Sequence, residues 1–422
     1  MSENNSFWQR DSVKSLLASI ISILIGLIAG TLLIAVVGFT NENMGGKAVW
    51  EGVRLVLLGV FSTGRDAAGN LTFGFNPVSM GNMFFRAIPL VLTGLSVAIA
   101  YKTGLFNIGA SGQYLAGTAA TLFIALSVPV GTLPSGVIWL LAFIGGMLAG
   151  ALWGAIPGAL KALLNINEVI ACIMTNWIAA NLVTWMFDAS NLKNAVEGTK
   201  TAYIYKTTYG RVVEDGVTTY VSGKGVSTPK MFLDKLFPGS QINGGIIIAA
   251  LLAIIVYVML NKTTFGYELK ACGFNRHAAK YAGIKDKRNI ILSMAIAGAM
   301  AGAAGSLYYL SGNTEFFWST YQSLPAEGFN GIAVALLAVN NPIGVVFTGI
   351  FMSMLNIAGL QLKNLTSYNE YITDVIIAVI VYLSAFSLVI KMWLSRKKKV
   401  IALRAVEERG EQSAAERKEV SK

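Results

Sequence analysis

The run FGYELKACGFNRHAAKYAGIKDKR, residues 265–288, lies between two apolar segments, Gly245–Leu260 and Asn289–Leu310. It carries six basic residues against two acids. Loops that retain Lys and Arg between membrane helices face the cytoplasm, so we expect this loop to be cytoplasmic. Its centre predicts a short helix, with Asn275 as the N-cap and Gly283 as the stop. Because two or three helical turns are marginal alone in water, we expect this helix to dock into a partner.

The composition indicates an all-α polytopic membrane protein. Of the 422 residues, 54% are hydrophobic and 13% are charged, whereas soluble proteins have about 25% charged residues. Several apolar runs approach or exceed the length of a membrane span. The net charge of +11 comes largely from the loops and the tail that we place inside, so it does not indicate nucleic-acid binding. The two cysteines, Cys172 and Cys272, do not suggest a disulfide framework.

About ten transmembrane helices in two inverted five-helix halves are predicted. An even number of spans places both termini in the cytoplasm, in agreement with the basic clusters in the short loops. The predicted spans are Ser15–Phe39, Phe84–Tyr101, Leu105–Val128, Ser135–Leu160, Val169–Phe187, Gly244–Leu260, Asn289–Leu310, Ala326–Val339, a ninth that ends near Leu360, and Ile372–Leu394.

Residues 1–14 are therefore a predicted cytoplasmic N-terminus, residues 15–394 the transmembrane domain and residues 395–422 a cytoplasmic tail. Within the domain, 263–288 is the cytoplasmic loop and 188–242 an external insertion. The insertion predicts a small β-hairpin, because Thr, Tyr and Val alternate around Glu214-Asp215-Gly216. The apolar run Ala48–Phe61 is short and contains charges, which predicts an interfacial or partly inserted helix.

Two motifs place amides and glycines at membrane depth: FNIGASGQ at Phe106–Gln113 and EGFNG at Glu327–Gly331. Unpaired polar groups there cost several kcal/mol each, roughly, so they must face protein or a water-filled path. Interrupted segments in matching positions of inverted halves point to the binding site of a transporter. The alternative is helix packing through small residues. For Asn176, hydrogen bonding across helices and a place in the path are both open. The pair Gly298 and Gly302 predicts tight helix packing.

Absent motifs exclude other functions. The nucleotide-binding pattern G-x-x-x-x-G-K-[ST] does not occur, so we expect no nucleotide hydrolysis by this chain and no enzyme activity. The single histidine, His277, has no cluster of metal-ligating residues, so we expect no metal. No series of mid-membrane acids suggests a proton relay. Energy must therefore come from elsewhere, or transport is passive.

Four ordered blocks carry a family resemblance, namely Phe106–Gln113, IPGALKALLNINEVIACIMTN at Ile156–Asn176, Gly266–Ile284 and Gly328–Gly344. With them the chain resembles the permease subunit of a bacterial ABC importer of the ribose and branched-chain amino-acid permease superfamily, and most of all its nucleoside permeases. Two departures are Ser111, where an acidic residue usually stands, and a long insertion at 188–242.

The resemblance implies a multi-pass protein of the bacterial plasma membrane that transports a nucleoside. Its partners would be membrane lipid, a second permease subunit, a cytoplasmic ABC ATPase and an external substrate-binding lipoprotein, with no nucleic acid. ATP would be bound by partner subunits, so no cofactor is expected on this chain. The residues expected along the substrate path are Phe106, Asn107, Ser111, Gln113, Asn176, Trp177, Phe329 and Asn330. Those expected to couple to the ATPase are Glu268, Gly273, Asn275, Arg276, Ala278, Ala279, Tyr281 and Gly283.

Alternatives remain at this point. The same architecture serves permeases for a sugar, an amino acid or a purine base. A self-sufficient secondary transporter, driven by an ion gradient, belongs to another class. A structural or signalling protein would leave the paired polar helix starts unexplained.

Overall fold

The computed structural model describes residues 11–384, apart from 42–43, 130–131, 195–196, 203, 205–210, 215–216, 221–224, 319–322 and 370. The predicted tail, the end of the tenth span and residues 1–10 lie outside the described residues.

The described residues form fourteen α-helices and four short strands. The helices are α1 Asp11–Thr40, α2 Gly46–Leu58, α3 Pro77–Lys102, α4 Ala110–Ser127, α5 Ser135–Leu164, α6 Glu168–Asp188, α7 Leu233–Leu236, α8 Gly245–Lys262, α9 Thr264–Phe274, α10 Arg276–Tyr281, α11 Asp286–Tyr309, α12 Ala326–Leu337, α13 Pro342–Leu365 and α14 Tyr371–Ser384. The strands are β1 Ser62–Arg65, β2 Leu71–Phe73, β3 Arg211–Glu214 and β4 Val217–Tyr220.

Seven of the described helices are long and apolar enough to cross a membrane: α1, α3, α5, α6, α8, α11 and α13. This confirms the mostly helical, multi-pass architecture. The three other predicted spans correspond to α4, α12 and α14. Of these, α12 has only 12 residues, fewer than the roughly 20 that a perpendicular span requires. The total of ten spans and the inverted halves stay predictions.

The core surrounds α3. In this helix 89% of the apolar window is buried, against 28% in α5 and in α8. Helices α11, α12 and α13 pack around α3. The hydroxyl of Ser353 on α13 donates to the carbonyl of Met83 at 2.6 Å, which satisfies a polar group inside the bundle. The outer helices instead leave long apolar faces exposed, as helices in contact with lipid do.

Helices α5 and α11 meet along a seam of glycines. A Cβ atom at Gly298 would overlap the carbonyl oxygen of Gly150, and one at Gly302 would overlap that of Gly146. Only glycine permits such close backbone approach between membrane helices. The predicted packing role of the Gly298 and Gly302 pair is confirmed.

Two small hairpins lie in the connections. The strands β3 and β4 pair antiparallel on either side of residues 215–216, which confirms the hairpin predicted there. The hairpin of β1 and β2 was not predicted. It supplies Arg65, whose guanidinium lies 2.7 Å from the carboxylate of Glu51 on α2. Helix α2 corresponds to the short apolar helix predicted at Ala48–Phe61. The ion pair compensates the charge of Glu51, which is buried on this helix.

Candidate functional site

The first motif lies on a loop that folds back into the bundle. After α3 ends at Lys102, the side-chain amide of Asn107 donates to the hydroxyl of Ser96 at 2.9 Å. Ser96 lies about 9 Å from the end of α3, at 1.5 Å per residue. Helix α4 therefore begins at Ala110, inside the bundle. The sequence predicted one continuous span from Leu105, which is wrong at its start. The loop residues are themselves apolar, so nothing in their hydropathy shows that the chain turns back before α4 begins.

Asn107 and Gln113 form a reciprocal amide pair. Asn107 Nδ2 donates to Gln113 Oε1 at 2.8 Å, and Gln113 Nε2 donates to Asn107 Oδ1 at 3.0 Å. The two side chains are 0% and 1% exposed. Each amide thus satisfies the other, which removes the cost of burying two polar groups.

Asn176 on α6 caps the start of α4 from outside that helix. Its Oδ1 accepts from the backbone N–H of Gly112 at 2.8 Å, and its Nδ2 donates to the carbonyl of Ile108 at 3.0 Å. The first turn of a helix has backbone donors without helical partners, and Gly109 at the N-cap has no side chain to accept from them. Asn176 supplies the missing acceptor. Of its two interpretations, hydrogen bonding across helices is the one the geometry shows.

The second motif meets the first inside the bundle. Helix α12 begins beside the start of α4, where the hydroxyl of Ser111 donates to the carbonyl of Pro325 at 3.0 Å. A Cβ at Gly328 would overlap Ser111. On the other side, Thr93 of α3 donates to the carbonyl of Glu327 at 2.9 Å. We call Ser96, Asn107, Ser111, Gln113 and Asn176 the interior polar cluster.

The other residues expected on the path differ in how far their side chains are exposed. Phe106 and Asn330 are half-buried, and Phe329 is 41% exposed. Trp177 lies on the exposed apolar face of α6, beside Met174, and is not brought to the cluster.

Sequence reasoning missed several residues near the start of α12. Tyr308 stacks on Phe85 with ring centroids 5.3 Å apart, and it lies within electrostatic range of Glu327 and Arg86. The hydroxyls of Thr93 and Ser96 were missed as well. Polar atoms inside otherwise apolar spans were the only signal for them.

The loop 263–288 consists of α9 and α10, which Asn275 separates. The side chain of Asn275 accepts from the N–H of Ala278 at 3.0 Å, and Gly283 has a φ of +82°. Both confirm the predicted N-cap and stop. Thr263 caps α9 in the same way, accepting from Gly266 at 3.1 Å.

Three contacts fix this α9–α10 loop to the bundle. Arg276 Nε lies 2.7 Å from Asp286 Oδ2, and Asn289 Nδ2 donates to Glu268 Oε2 at 2.9 Å. The third is between main chains, since a Cβ at Gly273 would lie 2.9 Å from the backbone nitrogen of Gly104. Gly104 lies in the loop that carries Asn107, so the two regions are in direct contact.

The free side of the α9–α10 loop is aromatic. Phe274 is 97% exposed and Tyr281 is 95% exposed, whereas Ala279 between them is buried. Phe274 lines a groove of about 830 Å³. Its lining residues are Thr264, Tyr267, Glu268, Lys270, Ala271, Phe274, Asn275, Ala278, Ala279, Ala282 and Ile284. Exposed apolar surface beside a groove marks an interaction site. The sequence reasoning missed Phe274, because nothing in a sequence shows that a Phe will point into solvent.

A multi-pass helical bundle with two polar helix starts that meet in its interior is typical of membrane transport proteins. The chain belongs to the family described as the branched-chain amino acid transport system / permease component, whose model matches residues 79–385. This is a family of transport permeases and not of enzymes. The resemblance read from the four motif blocks is confirmed.

Three relatives are similar over most or much of the chain. The guanosine ABC transporter permease protein NupP of Bacillus subtilis is 34% identical over 390 residues, covering 92% of this chain and 98% of the relative. The nucleoside ABC transporter permease protein NupB of Lactococcus lactis is 36% identical over 360 residues, with 81% and 93% covered. The guanosine ABC transporter permease protein NupQ of Bacillus subtilis is 25% identical over 270 residues, with 63% and 76% covered. The chain is thus similar to two different guanosine permeases of one bacterium.

Proposed function

We propose that this chain is a permease subunit of an ATP-driven nucleoside importer and forms the translocation path with a second, different permease. The nucleoside specificity is supported by the relatives that share nearly the whole chain and are named for guanosine or nucleosides. The second permease is supported by the existence of paired relatives in one bacterium. The observation that carries the ATP-driven mechanism is the α9–α10 loop.

In the proposed arrangement, α4, α12 and α14 complete ten spans in two inverted five-helix halves of a bacterial plasma-membrane protein. Both termini, the α9–α10 loop and residues 395–422 lie in the cytoplasm, and the insertion 188–242 lies outside. The basic residues concentrated in the α9–α10 loop support this orientation. The two helix starts that meet at Ser111 and Pro325 support the inverted halves.

The exposed side of the α9–α10 loop docks into a cytoplasmic ATPase. Phe274 and Tyr281 insert into the partner, because aromatic side chains this exposed have large apolar surfaces available for burial. The ATPase binds ATP, so this chain carries no cofactor. An external lipoprotein delivers the nucleoside to the opposite side of the bundle.

Movement of the loop passes to the interior through Gly273. Gly273 touches the main chain of Gly104, and the following residues lead to Asn107 in the interior polar cluster. Closure of the ATPase dimer displaces α9 and α10, and this contact moves the fold-back loop between α3 and α4. The start of α4 then shifts against that of α12.

Within the substrate path, the buried amides and Ser111 hold the wall in shape, since they donate their hydrogen bonds to one another and to the backbone. Phe106, Phe329 and Asn330 retain exposed surface and contact the nucleoside, with the rings stacking on the base. Trp177 joins the path where the second permease covers the exposed face of α6.

The docking step is tested with Phe274→Ser/Tyr281→Ser in the complete transporter. We expect the double variant to lose most of the co-purifying ATPase while the permease still folds, because neither side chain packs within the chain. The matched control is Phe75→Ser/Tyr371→Ser, which removes two aromatic residues that are each 65% exposed elsewhere. Undiminished ATPase in the double variant would refute docking through this surface.

The substrate is tested by uptake of labelled guanosine into cells. Unlabelled nucleosides should compete, and a sugar, an amino acid or a free purine base should not. Replacing residues 276–282 by a flexible linker should abolish uptake. Uptake by proteoliposomes that contain only this chain and an ion gradient would overturn the ATP-driven mechanism.

A further inference from the structure

A second cavity lies on the other side of α10, against the end of α5. It has a volume of about 720 Å³. Its lining residues are Ala162, Leu163, Asn165, Arg276, His277, Lys280, Lys285, Asp286, Lys287 and Arg288. On the helix α10, Arg276, His277 and Lys280 line this cavity, whereas Ala278 and Ala279 line the aromatic groove. The two concave surfaces therefore use different faces of α10.

The cavity has a large excess of positive charge. Five Lys and Arg residues line it against one acid. That acid, Asp286, is already bonded to Arg276 at 2.7 Å. Among the described residues, no carboxylate pairs with Lys285, Lys287 or Arg288, and all three are exposed. Within the described part of the chain, three exposed cations thus share one space without a bonded carboxylate.

The wall of the cavity continues into lipid-facing surface. Leu163 in the lining is 60% exposed, and the exposed apolar face of α5 extends through Ile156 to Leu152, which is 73% exposed. Apolar surface that ends at a ring of basic residues marks the boundary between the hydrocarbon and the headgroups of a bilayer.

We propose that this cavity binds the phosphate headgroup of an anionic phospholipid, whose acyl chains lie along α5. The basic residues complement the phosphate, and the exposed leucine and isoleucine side chains complement the chains. An acidic protein surface would satisfy the charges but would leave Leu163 and the face behind it against a polar partner. The bound lipid holds the connection between α10 and α11 at the membrane surface. The groove lined by Phe274 lies on the other face of α10.

The test uses the complete transporter in nanodiscs made from an equal mixture of phosphatidylcholine and phosphatidylglycerol. Native mass spectrometry of the released complex should show phosphatidylglycerol enriched on the wild type. Lys285→Gln/Lys287→Gln should lower this preference about 30-fold, at roughly one kcal/mol for each cation near the surface. The control Lys230→Gln/Lys235→Gln removes two exposed lysines elsewhere and should retain the preference.

Two competition arms identify the source of the phosphate. Short-chain phosphatidylglycerol should displace the bound lipid, and inorganic phosphate at the same concentration should not. The proposal is overturned if inorganic phosphate displaces the lipid equally well, if the lysine variant retains the wild-type preference, or if the variant loses ATPase binding with unchanged lipid. Guanosine uptake plays no part in this readout, so failure of the nucleoside proposal would be seen separately.

Discussion

The interior polar cluster and the α9–α10 loop are both polar stretches between apolar helices, but they use their polar groups differently. In the cluster, Asn107 and Gln113 are buried and bonded to each other. In the loop, a few bonds such as that between Arg276 and Asp286 fix the position, and the remaining surface is exposed. Polarity within a membrane sequence therefore has two causes, interior bracing and an exposed surface. The comparison predicts that substitutions in the cluster destabilise the chain more than matched substitutions in the loop.

The largest difference is expected between two glycines. In Gly328→Ala, the new Cβ would lie 2.6 Å from the Cα atom of Ser111, where α12 and α4 cannot separate without breaking the cluster. We expect a loss of about 3 kcal/mol in the free energy of unfolding. In the loop, Gly283→Ala meets nothing within 4 Å and only adopts an unfavourable φ of +82°, which costs about 1 kcal/mol. Thermal unfolding in detergent measures both, and equal losses would contradict the comparison.

A smaller effect is expected from an interior amide. Asn176→Leu leaves the N–H of Gly112 and the carbonyl of Ile108 without their partner. An unsatisfied buried group costs about 1–3 kcal/mol. Asn181→Leu on the same helix is the control, because Asn181 is exposed and bonds only to the carbonyl of Trp177. The same unfolding measurement should show a loss for the first variant and almost none for the second.

The smallest effect is expected in the loop itself. Asn275→Ala removes the cap of α10, at a cost of about 1 kcal/mol, and loosens the end of α9 near Cys272. Burial raises the pKa of the Cys272 thiol, so little reactive thiolate is present at neutral pH. Loosening lets the pKa fall towards its ordinary value, so maleimide labelling should be faster at neutral pH.

Peptide mass spectrometry follows the labelling of Cys272 alone. Both labelling rates should rise with pH as the thiolate forms, and the variant should stay faster, because the wild-type Cys272 is only 6% exposed and its burial also keeps the reagent away. Asn167→Ala, which removes an exposed N-cap asparagine from α6, is the control. Equal rates for Asn275→Ala and the wild type at neutral pH would show that the cap does not hold this part of the loop.

The sequence predicted those features that depend on neighbouring residues. The N-cap role of Asn275 and the helix stop at Gly283 depend only on residues a few positions away, and both were found where expected. The amide pair of Asn107 and Gln113 is different, because the two side chains come within hydrogen-bonding distance only after the loop has folded back into the bundle. The exposure of Phe274 likewise depends on which elements leave its surface uncovered. Local chemistry was readable, whereas the choice of partner and the outward orientation required the assembled bundle.

The contact between Gly273 and Gly104 consists of main-chain atoms on both sides. No side chain takes part in this contact, provided that both positions stay glycine. Under the proposed function, substitutions at residues such as Phe329 or Asn330 can change the substrate. The contact that transmits the movement of the α9–α10 loop stays the same. Substrate specificity and coupling to the ATPase can then evolve separately. The same coupling contact can serve permeases that carry different solutes.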